Sequence, residues 1–455
     1  MNRKPPASIP PRVVIVGGGF GGLAAARALA RLDGAGRARA RAEVLLIDKH
    51  NHHLFQPLLY QVATAALSPG NIAAPIRKIV SRQRNCEVIM GEATDVDLHA
   101  ATITVSGQKL AYDYLVLAAG ARTNYFGRDE WAKHAPGLKN IEEAIDVRCR
   151  FLLAFEQAEL EADPEARRAA LTFALVGAGP TGVEMAGAMA EISRHTLRRD
   201  FRRIDTHTVR VILIDAADRV LPGFDPALSA RARRDLEAMG VEIRLSTLVV
   251  DVDERGLTVE RSGKRERIDA NNVIWAAGVK AVALGVRLGA ETDRQGRVIV
   301  GPDLSVPGHP EIFVVGDLAL AIDAGSGKPV PGVAQGAMQT GRFAGRTIAV
   351  EIEAKAAGRP VPARGAFVYD DKGTLATIGR NSAVAEIRGF KIGGTVAFAI
   401  WAVVHIFFLI NFPKRLTTLA EWTWMYFFYE RGVRLITGEQ RVPKPVKIPP
   451  DPRLK

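Results

Sequence analysis

Two glycine triplets carry the clearest chemical signal in the chain. Gly17, Gly19 and Gly22 follow the apolar run RVVIV, and Gly177, Gly179 and Gly182 follow LTFALV, each in the pattern G-x-G-x-x-G. In such a pattern the first glycine permits a tight turn and the second lets backbone approach a pyrophosphate. The third lets a helix pack closely on a strand. The N-terminus of that helix turns unpaired N–H groups and a positive dipole end toward negative charge. Phe20 stands inside the first triplet, and Pro180 and Thr181 inside the second. A second apolar run follows each triplet and ends in an acid: VLLID at Asp48, with Lys49 after it, and VILID at Asp215. A carboxylate there can accept a hydrogen bond from a ribose 2′-hydroxyl. A further run closes each copy on A-A-G, at Ala119 and Gly120 and at Ala277 and Gly278.

One triplet alone is a weak signal, but two in register are a strong one. The first glycines of the triplets lie 160 residues apart and the A-A-G glycines, Gly120 and Gly278, 158, so the chain repeats one supersecondary plan. The short Val/Ile/Leu runs suit strands of a buried parallel sheet, and LAAARALARL and VEMAGAMAEI suit helices after them. The expected fold class is α/β, with two Rossmann-like dinucleotide-binding domains. The acids come late, Asp48 31 residues after Gly17 and Asp215 38 after Gly177, against about 20 in the usual fingerprint. The Arg-rich insertions DGAGRARARAE and SRHTLRRDFRRIDTHT account for the excess and read as solvated helix extensions and turns. Asp215 would repel a 2′-phosphate and so favours NADH, although Arg219 lies close enough to keep NADPH open.

Composition narrows the classes. At 455 residues there is room for about three domains. Cys86 and Cys149 are the two cysteines, which excludes a disulfide scaffold and a dithiol relay. The nine histidines show no metal spacing, and no metal is expected. The opening MNRKPPASIPPR has no apolar core, so no secretory signal is expected and the bulk of the chain should remain cytoplasmic. The net charge is +12, of which residues 388–455 contribute +7 together with twelve of the thirty aromatics. Basic and aromatic residues do not alternate there as on a base-stacking surface, so no nucleic acid is expected. Instead the uncharged run Gly393–Ile410, 18 residues long, is flanked by charge. That layout reads as contact with a lipid bilayer through residues 389–436, with Trp401, Trp422 and Trp424 at the headgroup boundary. A single spanning helix is not excluded by hydropathy. The proline-rich tail from Thr437 reads as extended or disordered.

The run IFVVGDLA, with Gly316 and Asp317, resembles the G-D signature of two-dinucleotide-binding-domain flavoproteins. In that architecture the aspartate binds the ribityl chain of FAD and the second nucleotide domain is inserted into the first. The resemblance implies an FAD-binding domain over 9–165 and 286–365, an NADH-binding domain over 166–285, and a C-terminal helical membrane-attachment region over 366–455. Residues 52–77, which include Gln56 and Pro57, and the runs at 181–191, 274–281, 331–346, 367–385 and 401–406 are more specific. They resemble type II NADH:quinone oxidoreductases, and the likeness extends from Arg12 to Ile436. It implies a single-subunit, non-proton-pumping flavoprotein of a respiratory chain, attached monotopically to the cytoplasmic face of the cell membrane. Its electrons would pass from NADH through FAD to a membrane quinone; a homodimer is left open.

In the segment Ala334, Gln335, Ala337, Gln339, the reading is of a helix with a proline start at Pro331, its N-terminus aimed at the flavin pyrimidine edge. Gln335 would then meet flavin and quinone, with Gln339 catalytic beside it and Met338 and Lys372 as quinone contacts. Met338 stands where some members carry histidine and offers no proton. Glu184 falls in the first turn of the second triplet's helix. An acid there is favoured by the dipole, and the resemblance gives it a part in supplying protons to quinone. His50, His52 and His53 are placed in a loop beside the flavin. Two rivals remain: a sulfide:quinone oxidoreductase, which needs redox cysteines, and a non-catalytic flavoprotein sensor or scaffold.

Overall fold

The computed structural model describes residues 9–32 and 41–437. Most of the first Arg-rich insertion and the tail after Thr437 lie outside them. The chain divides into two compact units. The first comprises Met1–Leu54, Ala73–Arg122 and Val279–Asp371; the second comprises Phe55–Ile72, Thr123–Gly278 and Lys372–Lys455. These limits differ from the boundaries at 165 and 285 expected from the repeat.

In the first unit, Arg12–Val16 lies between Glu43–Asp48 and Tyr114–Leu117, with Cys86–Met90 beyond the former and His309–Val314 beyond the latter. These strands are parallel, and Val13 stands opposite Val44 and Tyr114. Only the short edge strand Ser305–Val306 runs antiparallel. Near-complete burial of Val13, Val14 and Ile15 explains why the strand is β-branched from Val13 to Val16 and carries no polar alternation there.

The second unit repeats the plan. Thr172–Val176 lies between Arg210–Ile214 and Asn272–Trp275, with Val241–Arg244 beyond Arg210–Ile214, all parallel. In both copies the strand order reverses beside the first strand, and the crevice at the carboxyl ends there is where such sheets take ligands. The repeat also includes a feature invisible as periodicity. Before its last strand each copy inserts a three-stranded antiparallel meander, Ala93–Asp97 to Gln108–Ala111 in one and Leu248–Asp253 to Lys264–Asp269 in the other. The second Arg-rich insertion is not wholly solvated, since Ser193, Leu197 and Thr206 are buried within it.

The C-terminal region is not all helical. It opens with an antiparallel sheet of Thr374–Gly379, Ser382–Ile387 and Phe390–Gly393, followed by helices Thr395–Phe408 and Phe412–Phe428. The apolar run therefore starts at the last residue of a strand and leaves the helix through Leu409, which is extended. Its 14-residue helix reaches roughly 21 Å, short of a ~30 Å hydrocarbon layer. Among the described residues no helix is long and apolar enough to cross a membrane. The sheet packs on the Pro180–Glu191 helix so tightly that a Cβ on Gly187 would lie 1.6 Å from the Ile378 carbonyl oxygen. Ala397 and Trp401 face inward, whereas Val396, Val403 and Phe407 on the same helix are exposed.

Candidate active site

The two glycine loops have one geometry. Gly17 and Gly177 both adopt φ +108°, and a Cβ on Gly22 or Gly182 would lie 1.8 Å from the carbonyl oxygen of Gly17 or Gly177. Around Gly19 and Gly179 there is open space. The acids brace these loops in the same way. Asp48 accepts from the N–H groups of Gly18 (2.6 Å) and His50 (2.7 Å), and Asp215 from those of Ala178 (2.5 Å) and Ala217 (2.8 Å). Each carboxylate thus ties its loop to the end of the second strand and keeps lone pairs for a ribose. Arg219 donates to the Pro222 carbonyl.

A dinucleotide fits these loops. The helices starting at Ile141, Pro164 and Pro226 are capped by Asn140, Asp163 and Asp225. Those starting at Phe20, Pro180 and Ala334 have no side-chain cap. Their first N–H groups are left for a ligand's oxygens. In the first unit Gly17, Gly19, Phe20, Gly22, Asp48, Lys49, Ala119, Gly120, Gly316, Asp317, Ala334 and Gln335 come from the strand ends and the turns after them, the Phe20–Ala28 helix and the Ala334–Ala356 helix. Val333 occupies the cap position, so Pro331 precedes the helix without starting it. Gln335 and Met338 are half-buried. Gln339 uses both ends of its amide on Asp370, donating to its carbonyl and accepting from its N–H, each at 2.9 Å. That commitment fixes a backbone segment and leaves Gln335 as the better-placed glutamine. His53 is buried with its Nδ1 3.1 Å from the Gly18 carbonyl, and burial lowers its pKa to about 4.

The second unit holds Gly177, Gly179, Pro180, Thr181, Gly182, Glu184, Asp215, Ala277 and Gly278 at its sheet crevice, and also Gln56, Pro57 and Lys372. Gln56 is exposed and donates to the Lys139 carbonyl. Glu184 is 9% exposed and lines a cavity of about 290 Å³ beneath the two C-terminal helices. Burial raises its carboxyl pKa to about 8, opposed by the Thr377 N–H at 3.5 Å and by the Trp401 indole. The Trp401 Nε1–H falls short of hydrogen-bond geometry with any partner and is fully buried. It stacks on Trp422 at 5.2 Å. His405 Nδ1 lies 2.7 Å from the Trp401 carbonyl, which can only accept, and burial lowers its pKa to about 4.

The far end of the cavity is an ionic node. Glu191, one helix with Glu184, pairs with Arg380 at 3.3 Å and with Arg431 at 3.8 Å. Arg380 also donates to the Met425 and Tyr426 carbonyls and lies 3.4 Å over the Tyr429 ring. Arg431, 8% exposed, donates to the Thr64 carbonyl. Sequence reasoning missed Tyr60, Gln61, Glu191, Arg380 and Arg431, and it read Trp422 as a headgroup-boundary residue, whereas its indole bonds Gln61 at the cavity. Tyr60 and Gln61 fall within the specific run 52–77, but nothing local pairs them with residues more than three hundred positions away.

The model of the pyridine nucleotide-disulphide oxidoreductase family matches residues 11–341, and that of the NDH2 C-terminal domain matches 372–431. The type II NADH:quinone oxidoreductase Ndh of Mycobacterium tuberculosis is 47% identical over 96% of this chain and 93% of its own. NdhA of the same organism is 45% identical, covering 94% and 90%. Among solved structures, NDH2 from Plasmodium falciparum in complex with NADH aligns at a TM-score of 0.83 with 21% identity, over 94% of this chain and all of that one. The sulfide:quinone oxidoreductase of Aquifex aeolicus shares the fold less closely, at 0.66 with 19% identity, over 92% and 95%. With the repeated cradles, the C-terminal sheet and helices, and close relatives along nearly its whole length, the chain belongs to the type II NADH:quinone oxidoreductase family.

Proposed function

We propose that this protein oxidises NADH, passes the two electrons through FAD, and reduces a membrane quinone to quinol without pumping protons. In the first unit the Gly17–Gly22 loop takes the flavin nucleotide's pyrophosphate and Asp48 its adenosine ribose. Asp317 takes the ribityl chain, and the uncapped Ala334 helix end, with Gln335, takes the pyrimidine edge. Bound FAD supplies the hydride-accepting chemistry. In the second unit the Gly177–Gly182 loop and Asp215 take NADH. A carboxylate at that position supports NADH over NADPH.

The observation that carries the quinone half is the cavity beneath the C-terminal helices, into which a buried carboxyl opens. Its aromatic walls suit a flat ring, and quinone reduction consumes two protons. With a pKa of about 8, Glu184 holds its proton at neutral pH and can deliver it to a reduced quinone oxygen. The exposed Val403, Phe407, Phe412, Leu416 and Phe427 on the covering helices would lie in one leaflet of the bilayer at its cytoplasmic face, through residues 389–436. This places the cavity where a lipid-borne quinone travels.

The sulfide rival is not favoured. Burial raises the Cys86 thiol to about 11 and Cys149 is free and buried. Sulfide chemistry needs thiolates. The deciding experiment is anaerobic bleaching of the bound flavin by NADH, NADPH and sulfide in turn. Reduction by NADH at the lowest concentration supports the reading, and reduction by sulfide alone overturns it.

A further inference from the structure

The cavity contains a hydrogen-bond donor that the reduction described above does not use. The Trp422 indole Nε1 can only donate, and it lies 2.7 Å from Gln61 Oε1. This fixes the Gln61 amide, so its Nε2 donates to the Tyr60 hydroxyl oxygen at 2.9 Å. The phenol is therefore the acceptor in that bond, and its own proton is given to no group among the described residues. Tyr60 is 5% exposed, and with Gln61, Trp422 and Glu184 it lines the cavity. Tyr60 is thus otherwise buried and borders the cavity, where its unused O–H can meet a ligand. A donor at the end of such a chain is polarised by the bonds behind it.

We propose that the Tyr60 hydroxyl donates a hydrogen bond to a quinone carbonyl oxygen and so orients the ring in the cavity that Glu184 lines. This rests on the reading of that cavity as the quinone site. Burial holds the phenol pKa well above its ordinary value, so Tyr60 keeps its proton throughout. No bond to it forms or breaks; the protons consumed come from Glu184 and from water. As electrons arrive the carbonyl oxygen gains negative charge, so the bond strengthens toward the transition state and acts on kcat as well as on KM. Gln61 is a positioning residue, acting through Tyr60.

The test uses the FAD-loaded full chain with a water-soluble short-chain quinone. Tyr60→Phe should keep its flavin and its rate of flavin reduction by NADH, while kcat/KM for quinone falls roughly 10- to 100-fold. Gln61→Met should lose less, and Tyr60→Phe/Gln61→Met should be no worse than Tyr60→Phe alone. Ala402→Phe, which fills the cavity, should raise the quinone KM. An unchanged KM in Ala402→Phe overturns the cavity reading itself. A raised KM there with wild-type quinone kinetics in Tyr60→Phe keeps the cavity and removes Tyr60 from it. Losses that multiply in the double variant overturn the relay through Gln61. If Tyr60→Phe loses its flavin, Gln61→Met decides: a several-fold fall in quinone kcat/KM supports the chain, and none overturns it.

Discussion

Replacing Glu184 by glutamine removes one ionisation from the interior while keeping shape and hydrogen-bonding capacity. The folded carboxyl titrates at about 8 against 4.5 ordinarily, with burial the main cause. The folded state therefore binds a proton that the unfolded state releases between these values. Its contribution to stability is complete below pH 4.5 and is lost as pH rises toward 8. Across the whole window the loss is on the order of 5 kcal/mol, of which about 3 kcal/mol falls between pH 6 and pH 9. Other groups titrate in that range, so the quantity to read is a difference. Urea unfolding of wild type and Glu184→Gln at pH 6 and pH 9 should show the variant gaining about 3 kcal/mol relative to wild type at the higher pH. In turnover, wild-type quinone reduction should decline above about pH 8, where the proton has gone, and the variant should lack that decline at a lower rate. Identical pH dependence in the two proteins, in stability and in turnover, would refute a buried carboxyl that carries a proton at neutral pH.

The two cradles predict separable losses. Gly22→Ala puts a Cβ 1.8 Å from the Gly17 carbonyl oxygen and should yield protein without flavin by absorbance. Gly182→Ala does the same against Gly177 and should keep flavin that NADH no longer reduces. Asp215→Asn cannot accept from both the Ala178 and Ala217 N–H groups, and one such charged bond is worth roughly 1.5–3 kcal/mol. NADH KM should rise about tenfold and the preference over NADPH should narrow; an unchanged preference would count against Asp215 as the ribose contact. Val403 and Phe407 are 69% and 65% exposed, and each apolar side chain buried in lipid contributes about 1.5–3 kcal/mol. Val403→Glu/Phe407→Glu should weaken sedimentation with anionic vesicles at least tenfold while leaving flavin reduction by NADH intact, and unaltered sedimentation would exclude this face as the lipid contact.

What could be read in the sequence was local in the chain. The glycine triplets announce themselves because the turn and the helix approach admit no Cβ, and Asp48 and Asp215 because each ends a strand beside its triplet. The same local reading did not anticipate that both acids hold the loop backbone. The C-terminal sheet was legible in part: TLATIG and SAVAEI flank a turn in which Asn381 takes φ +59°, a conformation asparagine tolerates. The long apolar run drew the eye from it, and hydropathy counted strand, helix and extended exit as one span. Gln339 looked catalytic because its spacing from Gln335 matched a motif, yet its amide is spent on Asp370. The cavity beneath the C-terminal helices was beyond reach for another reason. Trp422 and Gln61 are separated by 361 positions, and only the packing of the C-terminal region over the Glu184 helix brings them together.

The central claim is that electrons from NADH reach quinone through the flavin of this one chain. Anaerobic stopped-flow absorbance tests it by reducing the bound flavin with one equivalent of NADH and then mixing with a soluble quinone. Bleaching with NADH and full recovery of the oxidised flavin spectrum within the turnover time, with one quinol formed per NADH, is the expected result. Flavin that NADH reduces but that no quinone reoxidises would contradict it.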